Sequence, residues 1–252
     1  AVIDARGHVV SLIDHASGRE ALDPERPSNV LRLHRDEPAN WDAWDIDEYY
    51  RRTVVELDEV DSLTVSEAGG TATVTTVRRT PAGSVIEQRI VLAPGAEAVR
   101  IEHDIDWHER QQLLKLGFGF DVHADEVAAE TQFGHLYRPT HTNTSWEEAK
   151  FETCAHRFVW VGEPGYGVAV TNDSTFGFGA HRHTRADRGT TTTVSLSLIR
   201  APLYPDPDAD QGEHTLTVSV RPGVAIGDAV EEGYRTNLPV RAVRGGQGFA
   251  PL

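Results

Sequence analysis

Hydrophobic and polar residues alternate with period two along most of this chain, which is the repeat of a half-buried β-strand. The segment Val99 to Trp107 shows it most clearly. Val99, Ile101, His103, Ile105 and Trp107 fall on one face; Arg100, Glu102, Asp104 and Asp106 fall on the other. The same pattern predicts strands at Thr71 to Val77, Val85 to Leu92, Leu113 to Val122, Phe158 to Val161, Gly167 to Thr171, Thr191 to Leu198 and Thr215 to Val220. Pro81-Ala82-Gly83 supplies a hairpin connection ahead of Val85. At the start, Val2 to Asp14 reads as two short strands around a turn at Gly7, and Gly18 and Asp23 to Pro27 then break the pattern. A helical period is scarce. Ala225 to Tyr234 predicts a short helix and Trp146 to Phe151 one turn, with Ser145 as its cap and Glu148 completing a capping box. Many strands, frequent Gly/Pro breaks and little helix predict an all-β fold, a large β-sandwich. No internal repeat or low-complexity linker divides the chain, so residues 1–252 read as one structural unit.

The chain carries 39 Asp and Glu against 24 Lys and Arg, a formal net charge of −15. That balance argues against nucleic acid or an anionic membrane surface as a partner, since both would repel it. Arginine supplies nearly all the positive charge; the lysines are Lys115 and Lys150. Cys154 is the single cysteine, so no disulfide forms within the chain, which fits a reducing, cytoplasmic compartment. No apolar run approaches the roughly 20 residues that cross a bilayer. Asn143-Thr144-Ser145 and Asn172-Asp173-Ser174 match the glycosylation sequon and are read as chance matches. The absence of methionine, including at position 1, leads us to expect a fragment of a longer chain.

Chemistry concentrates in Leu198 to His214, where an apolar strand runs into a proline-broken loop with Asp206, Asp208 and Asp210, then Gly212 and a Glu213-His214 pair. From the residues alone this loop permits two readings. Alternate oxygens converging on calcium are one, although Thr217 stands where a helical calcium loop places Glu. A solvated acidic turn is the other. Arg200 is expected to position the loop by pairing with one of its aspartates. Trp41, Trp44, Tyr49 and Tyr50 form an aromatic cluster, read as core or docking surface, or alternatively as a platform for sugar rings. His123-x-Asp125 and His181-x-His183 have metal-pair spacing, the second in a basic loop, but neither has an evident third ligand.

Three segments together resemble the C-terminal β-domain of glycoside hydrolase family 38, the α-mannosidases, and its cytosolic and bacterial branch in particular. They are Pro38 to Tyr50; Asp106 to Lys115 with Phe133 to Trp146 and Phe151 to Arg157; and Tyr166 to Asp173 with the Leu198 to His214 loop. The likeness runs from about Val2 to Val220. It implies a galactose-mutarotase-like super-sandwich that braces an N-terminal catalytic domain absent from this chain. The nucleophile and a divalent metal, zinc or similar, would belong to that domain, so no catalytic residue, metal ligand or cofactor is expected here. Arg241 to Leu252 reads as stopping short of the family's last β-segment. The resemblance adds a third reading of the acidic loop, as a lip of the mannose cleft. Substrate-cleft candidates are therefore Asp208, Asp210, Gln211 and His214, joined by His141 and Asn143 at the cleft or the domain interface. The implied partners are mannose-containing glycans, the chain's own catalytic domain and another copy in a homo-oligomer. Two other readings compete: a stand-alone carbohydrate-binding module, and a mutarotase-like sugar epimerase, which needs a His and a Glu converging in a cleft.

Overall fold

The computed structural model describes residues 1–238. The Arg241 to Leu252 tail discussed above lies outside the described residues. Strands dominate, and two antiparallel sheets carry the fold. The larger has nine strands in the spatial order Gly134–Pro139, Glu126–Thr131, Phe158–Glu163, Tyr166–Asn172, Gly212–Pro222, Val99–Trp107, Val85–Leu92, Thr71–Arg79, Ser62–Ala68. The smaller has six, in the order Thr153–Cys154, Gly177–Thr184, Thr190–Arg200, Gln112–Phe120, Val30–Arg35, Val55–Glu56. The large β-sandwich with very little helix expected from the sequence is what the chain adopts.

The alternation read at Val99–Trp107 is the physical reason for the larger sheet's inner face. All five residues assigned inward are buried. Ile101 sits opposite Ile90 on one side and Val218 on the other, so each ladder rung also joins apolar side chains. From the smaller sheet, Leu114, Leu116, Phe118 and Phe120 of one strand, with Leu31, Leu33, Val194 and Leu196, face this layer in one continuous core. The opening hairpin, Val2–Ile3 with Val9–Ser11, turns as expected at Gly7, whose φ of +75° suits glycine.

Several strands escaped the sequence reading for identifiable reasons. Ser62–Ala68 and Gly134–Pro139 are the two edges of the nine-stranded sheet and are mostly exposed, so neither has a buried face to impose alternation. Gly177–Thr184 places His181 and His183 on a strand rather than in the basic loop expected. The single helical turn is Ser145–Glu148, but its cap is Thr144, one residue earlier than expected; the Thr144 hydroxyl donates to the Glu147 carboxylate. Thr144 makes no side-chain bond to the turn's backbone N–H groups, so the capping box expected of Ser145 and Glu148 is not formed. The longer helix, Ile226–Asn237, starts where expected and buries Ala229 against Phe158, Ala169 and Val224. Beneath it, Gly162 leaves space for the Trp160 indole, which a Cβ there would meet at 2.0 Å.

One polar chain crosses the core. Gln88 Nε2 donates to Asn29 Oδ1 (3.0 Å) and to His103 Nε2 (2.9 Å), and Asn29 Nδ2 donates to the Gly7 carbonyl (2.9 Å). An imidazole that accepts at Nε2 is neutral, and burial pushes His103 down to about 4. In the unfolded chain a histidine titrates near 6.5, so the unfolded state takes up the proton first as the medium is acidified. Stability from His103 is complete above about pH 6.5 and falls toward pH 4, by roughly 1.4 kcal/mol per unit. Thermal unfolding followed by circular dichroism is expected to show the melting temperature dropping from pH 7 to 5, and His103→Gln to make that drop shallower. An unchanged slope in the variant would refute the assignment.

Candidate functional site

The outer face of the six-stranded sheet carries a polar cluster that the sequence did not single out. Gln112–Phe120 sends Leu114, Leu116 and Phe118 into the core, so Leu113, Lys115, Gly117 and Gly119 point the other way. Register places Lys115 between Arg32 and Ser197, and Gly117 beside Ser195. Lys115 is buried, and its ammonium donates to both Glu152 oxygens (2.8 and 2.6 Å) and to Ser197 Oγ (2.9 Å). Tyr50, on the 3-10 turn Glu48–Arg52, donates its hydroxyl to Glu152 Oε2 (2.9 Å) and meets His34 edge-on at 5.2 Å. Burial pulls the Lys115 ammonium down while Glu152 holds it up. Burial and the Glu152 charge push the Tyr50 phenol up, so it remains a donor. His34 and His181 are each pushed to about 4, first by burial and then by Lys115 and Arg51 respectively. Around them is an open cavity of about 290 Å³, floored by Gly117, Gly119 and Gly179. The available signal was Lys115 itself, a lysine inside the apolar run Leu113 to Phe120, where a buried charge demands a partner.

A second surface lies at the Arg200 end of the same sheet. Arg200 does not pair with a loop aspartate; its guanidinium is bound to buried Asp36, with a second contact at 3.2 Å. The same guanidinium donates to the carbonyls of Asp42 (3.1 Å) and Asp45. Asp42 in turn accepts from the backbone N–H of Leu203 (2.6 Å) and Tyr204 (3.0 Å). These bonds latch the Trp41–Asp45 tip onto the proline-rich loop, with Trp44 and Tyr204 rings 6.3 Å apart. Trp41, Trp44 and Tyr204 are exposed, whereas Tyr50 is buried, so the aromatic cluster read as one group divides in two.

Four of the predicted site residues share this second surface. Asp208 pairs with Arg110 at 2.8 Å, the role expected of Arg200. Gln211 Nε2 donates to the Glu109 carbonyl (2.8 Å), and the His214 ring contacts the Asp210 carbonyl (2.8 Å). Asp210 adopts φ +59°, and burial pushes its carboxyl up against the pull of His214 and Arg200. His141 and Asn143 are elsewhere. Their loop follows Thr140, whose carbonyl accepts from Arg182 N beside Thr192, eight residues along the strand from Arg200, roughly 26 Å. Asn143 N donates to His141 Nδ1 (3.4 Å) in an exposed turn. Among the described residues no three His, Cys, Asp or Glu side chains are grouped to hold a metal ion. The His123–Asp125 pair is bridged by the Arg182 guanidinium.

Comparison with known proteins decides the family. Residues 1–208 match the family model described as Glycosyl hydrolases family 38 C-terminal domain. The chain belongs to that family. It is 37% identical over 246 residues to Alpha-mannosidase 2C1 of Homo sapiens, covering 96% of this chain and 23% of that protein. It is 30% identical to an Alpha-mannosidase of Saccharomyces cerevisiae, covering 92% of this chain and 22% of the relative. The chain thus spans less than a quarter of these relatives. In fold it is similar to an alpha-mannosidase from Enterococcus faecalis V583, with a TM-score of 0.71 at 14% identity over 94% of this chain and 30% of that one. The family 38 C-terminal domain resemblance drawn from the three sequence segments is therefore correct.

The Lys115–Glu152 contact gives this face its most severe constraint. Lys115→Met strands a carboxylate whose side chain is 9% exposed, and a cost of about 3–5 kcal/mol is expected. The double variant Lys115→Met/Glu152→Gln is expected to recover most of it. Urea unfolding midpoints across the four-protein cycle check this, and strictly additive losses would contradict the pairing.

Proposed function

We propose that this chain is the supporting β-domain of an α-mannosidase that removes terminal α-linked mannose, and that residues 1–252 act as one unit in it. In that reading it braces a catalytic domain and lends the 206–214 loop to the lip of the substrate cleft. Asp208, Asp210, Gln211 and His214 offer fixed acceptors and donors for sugar hydroxyls, while His141 and Asn143 sit nearer the domain boundary. The observation that carries the proposal is the latched, exposed Trp41–Trp44–Tyr204 surface beside that loop, on a domain of family 38. Contiguous exposed aromatics mark a surface built to be covered. Retaining glycosidases place two carboxyls roughly 5–5.5 Å apart across the scissile bond, and that pair, with a divalent metal such as zinc, is assigned to the partner domain. A cytoplasmic location agrees with the free, exposed Cys154. Among the described residues no helix is long and apolar enough to cross a membrane. The charge of −15 disfavours nucleic-acid partners. Homo-oligomerisation through the exposed surface belongs to the same proposal.

The same exposed aromatics favour one second reading, a carbohydrate-binding module. Calorimetry separates the two: saturable binding of methyl α-mannoside by this chain alone, lost in Trp44→Ala, supports the module. The epimerase reading has less support, because Glu152 beside His34 and His181 is already engaged by Lys115, Ser197 and Tyr50.

The chain alone, supplied with zinc or cobalt, is expected to release no aglycone from an aryl α-mannoside, and appreciable hydrolysis would overturn the supporting role. In the complete polypeptide, Gln211→Ala is expected to raise KM several-fold, the effect of losing about one hydrogen bond of roughly 1 kcal/mol. Unchanged kinetics would remove the loop from the cleft.

A further inference from the structure

The cavity on the outer face of the six-stranded sheet has a lining that neither the family nor the proposed function explains. Its walls present Arg26, Arg32, Arg51, Lys115, His34 and His181, with the Ser195 hydroxyl, and no Asp or Glu is among the residues that line it. This occurs in a chain with 39 acidic side chains, so an all-cationic lining is contrary to its composition. The nearby carboxylates stand behind the cations. Glu152 is engaged by Lys115, Glu56 pairs with Arg32 at 2.9 Å, and Glu48 lies 3.5 Å from Arg51 on its own helical turn. Asp23 stands over Gly119 on the same outer face, and its carboxylate accepts the Glu25 N–H at 2.8 Å. Arg26 and Arg51 are exposed at the rim and free to turn toward an anion, while the buried Lys115 ammonium at the base, its N–H groups taken by Glu152 and Ser197, stays in place as a fixed part of the wall.

We propose that this cavity binds a small phosphoryl oxyanion, either free phosphate or the phosphate of a sugar ester. The guanidinium fork matches phosphate oxygens in pairs, and low-dielectric walls strengthen each contact. Over Gly117 the missing side chain leaves room for the Arg32 guanidinium, 2.5 Å from where a Cβ would stand, so the floor there presents a cation; over Gly179 the Phe151 carbonyl and Glu152 fill the space, which places the anion at the arginine side of the cavity. A cavity of about 290 Å³ admits a monosaccharide phosphate, with the Ser195 hydroxyl available to the sugar, while the Thr193 hydroxyl is taken by the His181 carbonyl at 3.1 Å. The depressed His34 and His181 agree with a positive interior, because Lys115 and Arg51 are among the causes.

Calorimetric titration of the complete polypeptide carrying this chain, at constant ionic strength, tests this with inorganic phosphate and with mannose 6-phosphate. Saturable binding of at least one probe is expected. Arg26→Gln and Arg51→Gln should each weaken it by about tenfold, and Arg110→Gln, a surface arginine outside the cavity, should leave it unchanged. Tighter binding of the ester identifies a sugar phosphate as ligand; equal affinity identifies free phosphate. Absence of saturable binding overturns the proposal, as does equal weakening by Arg110→Gln, which would mean diffuse charge attraction. Binding by the chain alone but not by the complete polypeptide also overturns it, since the cavity would then be covered by the rest of the protein. Should an arginine variant fail to fold, the wild-type titration still decides.

Discussion

Burial of the strand Gln112–Phe120 on both of its faces is the constraint from which the rest of this structure follows. Its inner residues make the apolar layer between the sheets, but its outer residues include an ammonium with almost no access to water. An unpaired buried charge costs several kcal/mol, so a carboxylate has to reach Lys115, and it must come from outside the strand. Glu152 does so from 37 residues further along the chain. The segment leading to Glu152 must therefore cross the outer face, and Thr153–Cys154 then closes the sheet against Phe178 and Gly177. Tyr50 and Ser197 fill the remaining acceptor positions on the same carboxylate. One charged contact thus fixes the route of a connection, the position of an aromatic turn and the floor of a cavity.

The same physics recurs at the Arg200 end, with a different result. Asp36 is buried and raised by its burial, and Arg200 compensates it. The guanidinium has donors to spare, and those bind the carbonyls of the Trp41–Asp45 tip. Trp41 is held at φ +56°, a conformation that costs a bulky residue about 1–3 kcal/mol and persists only when its surroundings impose it. The latch therefore maintains an exposed, strained aromatic surface where relaxation would tuck it away. Core packing gains nothing from that arrangement. A surface meant for contact does.

How much was legible follows from what leaves a trace in sequence. Val99–Trp107 was read correctly because one buried face imposes a two-residue period, and the family segments were specific enough to identify the domain. The exposed edges Ser62–Ala68 and Gly134–Pro139 left no such trace. Within the acidic loop, proximity in sequence brought Asp208, Asp210, Gln211 and His214 together, but its partner arginine was Arg110 rather than Arg200. Lys115, Glu152, Tyr50 and His34 come from four separate segments, and only sheet register unites them. His141 and Asn143 show the converse, since residues grouped with the acidic loop by polarity are placed near the other end of a long strand.

The two polar surfaces differ in chemical character, which assigns them different ligands. The 206–214 loop is rich in acceptors and largely solvated, a character that matches the neutral sugar hydroxyls proposed for it. The outer-face cavity presents guanidinium donors at its rim, and suits the proposed anion. A neutral mannoside would gain little from Arg26 and Arg51, and a phosphate would be repelled by Asp206, Asp208 and Asp210. They share a sheet but neither substitutes for the other. Two strands join the cavity to the aromatic latch: Thr190–Arg200, which carries Ser195 in its middle and Arg200 at its end, and Val30–Arg35, which carries Arg32 and His34 and leads to Asp36, the partner of Arg200.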